Sequence, residues 1–159
     1  MPIKEGDKLP AATLYVMSDA GPKPHTTEDL FAGKKVVLFA VPGAFTPTCS
    51  QAHLPGFVVH ADEILAKGVD SIICMSVNDA FVMDAWGKGA NAEKLIMAGD
   101  GNGDFTTALG LEMDWSGFGL GKRSQRFAMI VDDGVVTKLA VEEPMKFEVS
   151  SAEAMLAAL

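Results

Sequence analysis

From Lys34 to Val41 the chain reads Lys-Lys-Val-Val-Leu-Phe-Ala-Val, with no polar side chain after Lys35. A strand with one wet face alternates apolar and polar residues. An unbroken run between Gly33 and Pro42-Gly43 therefore predicts a strand buried on both faces. A second run, Val69 to Val77, repeats the pattern around Ile72-Ile73-Cys74-Met75. Two such strands belong in a sheet covered by helices on both sides and linked by a crossover. That requirement narrows the chain to the α/β class.

The crossover has a marked start. Thr46 can cap a helix, and Pro47 suits its first position, where no N–H is needed. The helix is expected to run toward Lys67 and stop at Gly68, with Phe57, Ala61, Ile64 and Leu65 as its apolar stripe. Pro55 removes an N–H and clashes with the preceding turn, which predicts a kink there. On this reading Cys49 is the third helical residue, among free N–H groups at the positive end of the dipole. A thiol so placed is expected to ionise more readily than a free cysteine, and the thiolate is the nucleophile. The plainer reading of Cys49 is a small buried apolar residue. His53 lies four residues on and shares its helical face, as in a Cys–His pair; lining a pocket is the plainer role.

The remaining elements are read in the same way. Thr13 to Met17 is a strand in an N-terminal hairpin with Gly21-Pro22 at the turn, and Thr27 to Ala32 is a short helix. Asn78 or Asp79 opens a helix whose apolar face is Phe81, Val82, Ala85 and Trp86. Lys94 to Ala98 is a strand, Asp104 to Leu109 a short helix, and residues 110–123 a glycine-containing loop. Gln125 to Val131 and Val135 to Val141 pair across Asp132-Asp133-Gly134, and the last helix opens with the capping box Ser150-x-x-Glu153. The order β-α-β-α-β-α-β-β-α after an N-terminal β extension predicts one domain over 1–159. Its fold is α/β and thioredoxin-like: a central mixed β-sheet flanked by helices.

A formal net charge of −8 argues against nucleic acid or an anionic membrane surface as partner. No apolar run approaches the roughly 20 residues of a membrane span. The polar start, Met1-Pro-Ile-Lys-Glu, lacks a signal-peptide core, so an unprocessed cytoplasmic chain is expected. Two cysteines, Cys49 and Cys74, without a C-x-x-C, are too few for a disulfide scaffold and fit a reducing compartment. Asp100-Gly-Asn-Gly-Asp104 imitates a calcium loop, but Phe105 and Leu111 stand where Gly and Glu are required, so no metal site is expected. Gly117-Phe-Gly-Leu-Gly121 lacks dinucleotide-loop spacing and is read as a loop near the site. Lys122, Arg123 and Arg126 could each bring a cation to a thiolate; in a strand Arg126 shares a face with Ser124, and Arg123 points to the other.

Pro42, Thr46 and Cys49 reproduce a P-x-x-x-T-x-x-C signature. With Val41-Pro-Gly-Ala-Phe-Thr-Pro-Thr-Cys49, His53-Leu-Pro-Gly-Phe57, Ser76-Val-Asn-Asp79 and Gly119 to Phe127, the chain resembles the type II (Prx V-like) peroxiredoxins over nearly its whole length. The resemblance implies a thiol-dependent peroxidase. Cys49 would attack hydrogen peroxide or an alkyl hydroperoxide and become a sulfenic acid. Arg126 matches the family's active-site arginine. With Thr46, whose hydroxyl would contact thiolate and peroxide, it would stabilise the transition state; Pro42 would shape the pocket. Regeneration by glutaredoxin with glutathione, or by thioredoxin, is implied, and no metal, haem or flavin. Cys74 is the candidate resolving cysteine by its plant-type spacing, although its apolar strand suits an inert thiol. The resolving cysteine of animal members is missing from Glu143 to Ser150. A homodimer is expected through Phe45, Phe81 and residues 116–120. The competing functions are a thiol–disulfide reductase and a peroxide-sensing redox switch.

Overall fold

The computed structural model describes residues 2–159, and the elements are taken in chain order. A hairpin of β1 (Thr13–Ser18) and β2 (Gly21–Thr26) leads through α1 (Thr27–Phe31) into β3 (Lys35–Ala40), the run read as doubly buried. A π-helical turn (Cys49–His53), α2 (Leu54–Val59) and α3 (Ala61–Leu65) form the crossover to β4 (Ser71–Ser76). Next come α4 (Ala80–Gly89), β5 (Ile96–Gly99) and α5 (Asp104–Leu109). Strands β6 (Glu112–Asp114) and β7 (Lys122–Ser124) form a small separate sheet within the stretch read as a loop. The hairpin of β8 (Phe127–Asp132) and β9 (Val135–Val141) and helix α6 (Ala152–Ala158) complete the chain.

The main sheet has seven strands in the order β2-β1-β5-β4-β3-β8-β9. β5, β4 and β3 are parallel, and the strands on either side of them run antiparallel. Along β3 the side chains alternate between two cores, as a strand's two-residue period demands. Val37 and Phe39 face a layer with Leu54, Phe57, Ile64, Met83, Trp86 and Met155. Val36, Leu38 and Ala40 face one with Leu30, Phe31, Phe105 and Leu109. Cys49 and Cys74 both belong to the first layer. Among the described residues no helix is long and apolar enough to cross a membrane.

Several local expectations are corrected. The helix does begin at Pro47, where Ser50 N–H donates to the Thr46 carbonyl, but the Thr46 hydroxyl donates to Gly43 O and caps nothing. The disturbance assigned to Pro55 falls just before it. Leu54 N–H reaches back five residues to Cys49 O, a wide turn that removes the regular i−4 register in which the proline ring would clash. The backbone breaks again at His60 rather than at the proline. Helix α4, capped by Asp79, buries Ala80, Met83, Trp86 and Gly87, an i, i+3, i+6, i+7 stripe, and leaves Phe81 in solvent. Ser151, not Ser150, caps α6; Ser150 is fully buried and bonded elsewhere.

Candidate active site

The loop from Pro42 to Thr46 is tied to the sheet from both sides. Val41 N–H donates to Met75 O as β3 ends, and Asn78 Oδ1, just past β4, accepts from Ala44 N–H at 3.0 Å. Phe45 takes a left-handed backbone, φ +68°, uncommon for a bulky residue, and turns the chain into the helix. From α4 the Trp86 indole N–H donates to Ser50 Oγ at 2.9 Å. Cys49 thus sits at the first wide turn of the crossover, fully buried in the apolar layer.

Arg126 stands just ahead of β8. Its Nη2 donates to Cys49 Sγ at 3.1 Å, and its Nη1 to His53 Nδ1 at 2.8 Å. One rigid fork thus reaches two acceptors from the end of a core strand. His53 Nε2 lies 2.9 Å from Ser150 O, and a carbonyl only accepts, so His53 carries its proton on Nε2. The ring is packed among Phe39, Phe57 and Phe147. Burial first, and the Arg126 charge second, lower its pKa to about 3 against the pull of the Ser150 carbonyl, so His53 is neutral. A neutral acceptor locked onto a guanidinium is no general base for Cys49.

Ser150 is held in turn by Glu142. One carboxylate oxygen, Oε2, accepts from the N–H groups of Glu148, Val149 and Ser150 and from Ser150 Oγ, all within 2.7–2.8 Å. Burial opposes its charge, but the donors of Ser150, Val149 and Glu148 outweigh it and hold the carboxyl below its ordinary range. The neighbouring Phe147 ring lies 5.8 Å from the Arg126 guanidinium carbon, a cation–π approach.

Above these groups opens a cleft of about 130 Å³ lined by Pro42, Thr48, Gln125, Arg126, Met145 and Phe147. A water needs roughly 10–15 Å³ of such space, so the cleft has room for several waters or a small molecule beside Arg126, while Cys49 lies buried behind its wall. The Thr46 hydroxyl makes its bond to Gly43 O at 2.8 Å rather than to the thiol, so its proton is committed and only its lone pairs remain for a guest. Arg123 also turns toward this loop, donating to Leu120 O and Pro42 O, instead of pointing away; β7 ends at Ser124, so the face rule of a single strand does not carry across. Cys74 is fully buried in β4, opposite Phe39 and Met97. Burial, then the nearby Cys49, push its thiol well above the ordinary range.

Sequence reasoning reached Cys49, His53 and Arg126 but missed Ser150 and Glu142. The only signal for Glu142 was an acidic residue directly after an apolar strand, which by itself marks a strand end.

A redoxin family model matches residues 4–156. The rice chloroplastic peroxiredoxin-2E-2 (Oryza sativa subsp. japonica) is 56% identical over 163 residues, covering 99% of this chain and 72% of that protein. Peroxiredoxin-2B of Arabidopsis thaliana is 50% identical over 160 residues, 99% of each chain. Among solved structures, reduced Prx3 of Vibrio vulnificus in complex with hydrogen peroxide is 63% identical, covers 98% of each chain and superposes with a TM-score of 0.95.

Proposed function

Because the chain belongs to the redoxin family as a type II peroxiredoxin, a thiol-dependent peroxidase of antioxidant defence, we propose that Cys49 is its nucleophile. Arg126, Thr46 and Pro42 complete the reacting site, and one domain, residues 1–159, carries it. The observation behind this is the fork of Arg126 on Cys49 Sγ, at 3.1 Å, beside the cleft. A sulfur lone pair forms the S–O bond to the terminal peroxide oxygen as the O–O bond breaks. The departing oxygen takes a proton from solvent water and leaves as water or an alcohol, and the Cys49 thiolate, now bonded to the terminal O–H, becomes a sulfenic acid. Arg126 stabilises the charge that passes from sulfur to that oxygen. Thr46, its own proton on Gly43 O, accepts from the peroxide O–H and orients it. Pro42 walls the cleft.

The reductant is an external thiol, supplied by glutaredoxin with glutathione or by thioredoxin. The burial of Cys74, with its thiol held protonated, favours this over an internal disulfide, which would need β4 to open locally. A cytoplasmic location suits two free thiols. Phe45, Phe81 and Phe118, each at least 60% exposed, supply the apolar surface of a homodimer.

Turnover of Cys49→Ser and Cys74→Ser with hydrogen peroxide and each reductant tests the reading. Cys49→Ser is expected to be inactive and Cys74→Ser active. Retained peroxidase activity in the first would remove Cys49 from the mechanism; loss in the second would make Cys74 the resolving thiol.

A further inference from the structure

We infer that Glu142 is a positioning residue for Arg126: by fixing Ser150 it sets the tautomer of His53, and His53 then aims the guanidinium at Cys49. The inference rests on the roles given above to Cys49 and Arg126. A neutral imidazole has one N–H and one lone pair and can place them either way round. Arg126 has donors only, so it needs a lone pair at Nδ1; an N–H there would face the N–H of Nη1. The choice is made on the far side of the ring, where the Ser150 carbonyl can only accept and so draws the proton to Nε2.

That carbonyl is held by its own residue. Ser150 N–H and Oγ–H both end on Glu142 Oε2, and the preceding two amides end there as well. Glu142 N–H donates to Arg126 O at 2.9 Å, so the series returns to the arginine from which it started. Removing the carboxylate leaves four donors without their acceptor and frees residues 148–150. The carbonyl then no longer selects a tautomer, and part of the population presents Nδ1–H to Arg126.

The test is a double-mutant cycle of Glu142→Ala with His53→Leu, read by the second-order rate of the reduced enzyme with hydrogen peroxide. A leucine carries neither donor nor acceptor, so it has nothing for the Ser150 carbonyl to select. Glu142→Ala is expected to slow the reaction roughly tenfold with His53 present, but by no more than about twofold in the His53→Leu background. Any cost from a displaced Phe147 is common to both backgrounds and cancels. Long-range nitrogen spectra of labelled histidine should show His53 as Nε2–H alone in the native chain and as a mixture in Glu142→Ala. Equal costs in both backgrounds, or a folded Glu142→Ala enzyme with native rate and tautomer, would overturn the proposal. If Glu142→Ala fails to fold, Glu142→Gln, which keeps one acceptor oxygen, takes its place with the same readouts and criteria. Should Cys49→Ser stay active, the reading of the site has failed instead.

Discussion

At the scale of single residues, the arrangement around Cys49 separates charge from geometry. Arg126 could supply charge as a lysine does, but only a planar fork reaches Sγ and His53 Nδ1 together. Arg126→Lys is therefore expected to lower the peroxide rate constant by roughly a hundredfold while leaving the KM for the thiol reductant unchanged. Stopped-flow tryptophan fluorescence of the reduced enzyme would follow it; a rate near the native one would mean that charge alone suffices. Thr46 poses the complementary question. Thr46→Val keeps the shape and removes both the bond to Gly43 O and the acceptor, and Thr46→Ser should recover most of the lost rate. Failure of serine to recover it would leave the methyl group, not the hydroxyl, as the contribution of Thr46. These two residues were legible through the resemblance; by residue type alone Lys122, Arg123 and Arg126 were equal candidates for the cation and Thr46 was a helix cap. Glu142 was not, because its function lies in what it touches: Ser150, eight residues on, whose carbonyl meets His53 across 97 residues of chain.

At the scale of elements, the site depends on how strand ends meet loops. Gly99 ends β5 against the loop that leads into α4. A Cβ there would lie 2.7 Å from the Asn78 carbonyl and 2.9 Å from the Ala80 nitrogen, both backbone atoms. Gly99→Ala should thus cost about 1–3 kcal/mol by chemical denaturation. It should also slow the peroxide reaction, since Asn78 holds Ala44 N–H. Unchanged stability would show that the loop can retreat. The helix carrying Cys49 shows how far local signals go. Thr46-Pro47 marked the place where it starts, although the Thr46 hydroxyl does not cap it, and the kink expected at Pro55 falls before and after the proline instead. Where the disturbance appears, as a wide turn over Cys49–His53, depended on how the crossover packs against α4 and α6.

At the scale of the whole molecule, the neutral His53 has a consequence for acid stability. Unfolded, it protonates near 6.5; folded, near 3. Between those values the unfolded state binds the extra proton, so stability is full above about pH 6.5 and falls as pH drops toward 3. The contribution is on the order of a few kcal/mol. Thermal melts from pH 7 to pH 4 should show a smaller loss in His53→Gln than in the native chain. Equal slopes would place the acid sensitivity elsewhere. Assembly belongs to the same scale. The exposed Phe45, Phe81 and Phe118 predict a dimer in sedimentation equilibrium and a shift toward monomer in Phe81→Glu; a native monomer would refute that surface.

The sequence by itself determined the fold class and, with the motif around it, singled out Cys49 as the candidate nucleophile. Two doubly apolar runs admit few arrangements, and Pro42, Thr46 and Cys49 are fixed relative to one another by a strand end and a helix start only a few residues apart. What only the tertiary structure decided is how the arginine is held. Counted back from the Asp133-Gly134 turn, with Asp132 opposite Val135, an unbroken hairpin would set Arg126 across from Val141. A bulge between Ile130 and Val131 shifts the ladder by one, pairs Phe127 with Val141, and brings Glu142 to Arg126 instead. One inserted residue in a ladder leaves no mark in composition or periodicity. It depends on how the two strands twist against β3 and α6, and so it exists only once the sheet is assembled.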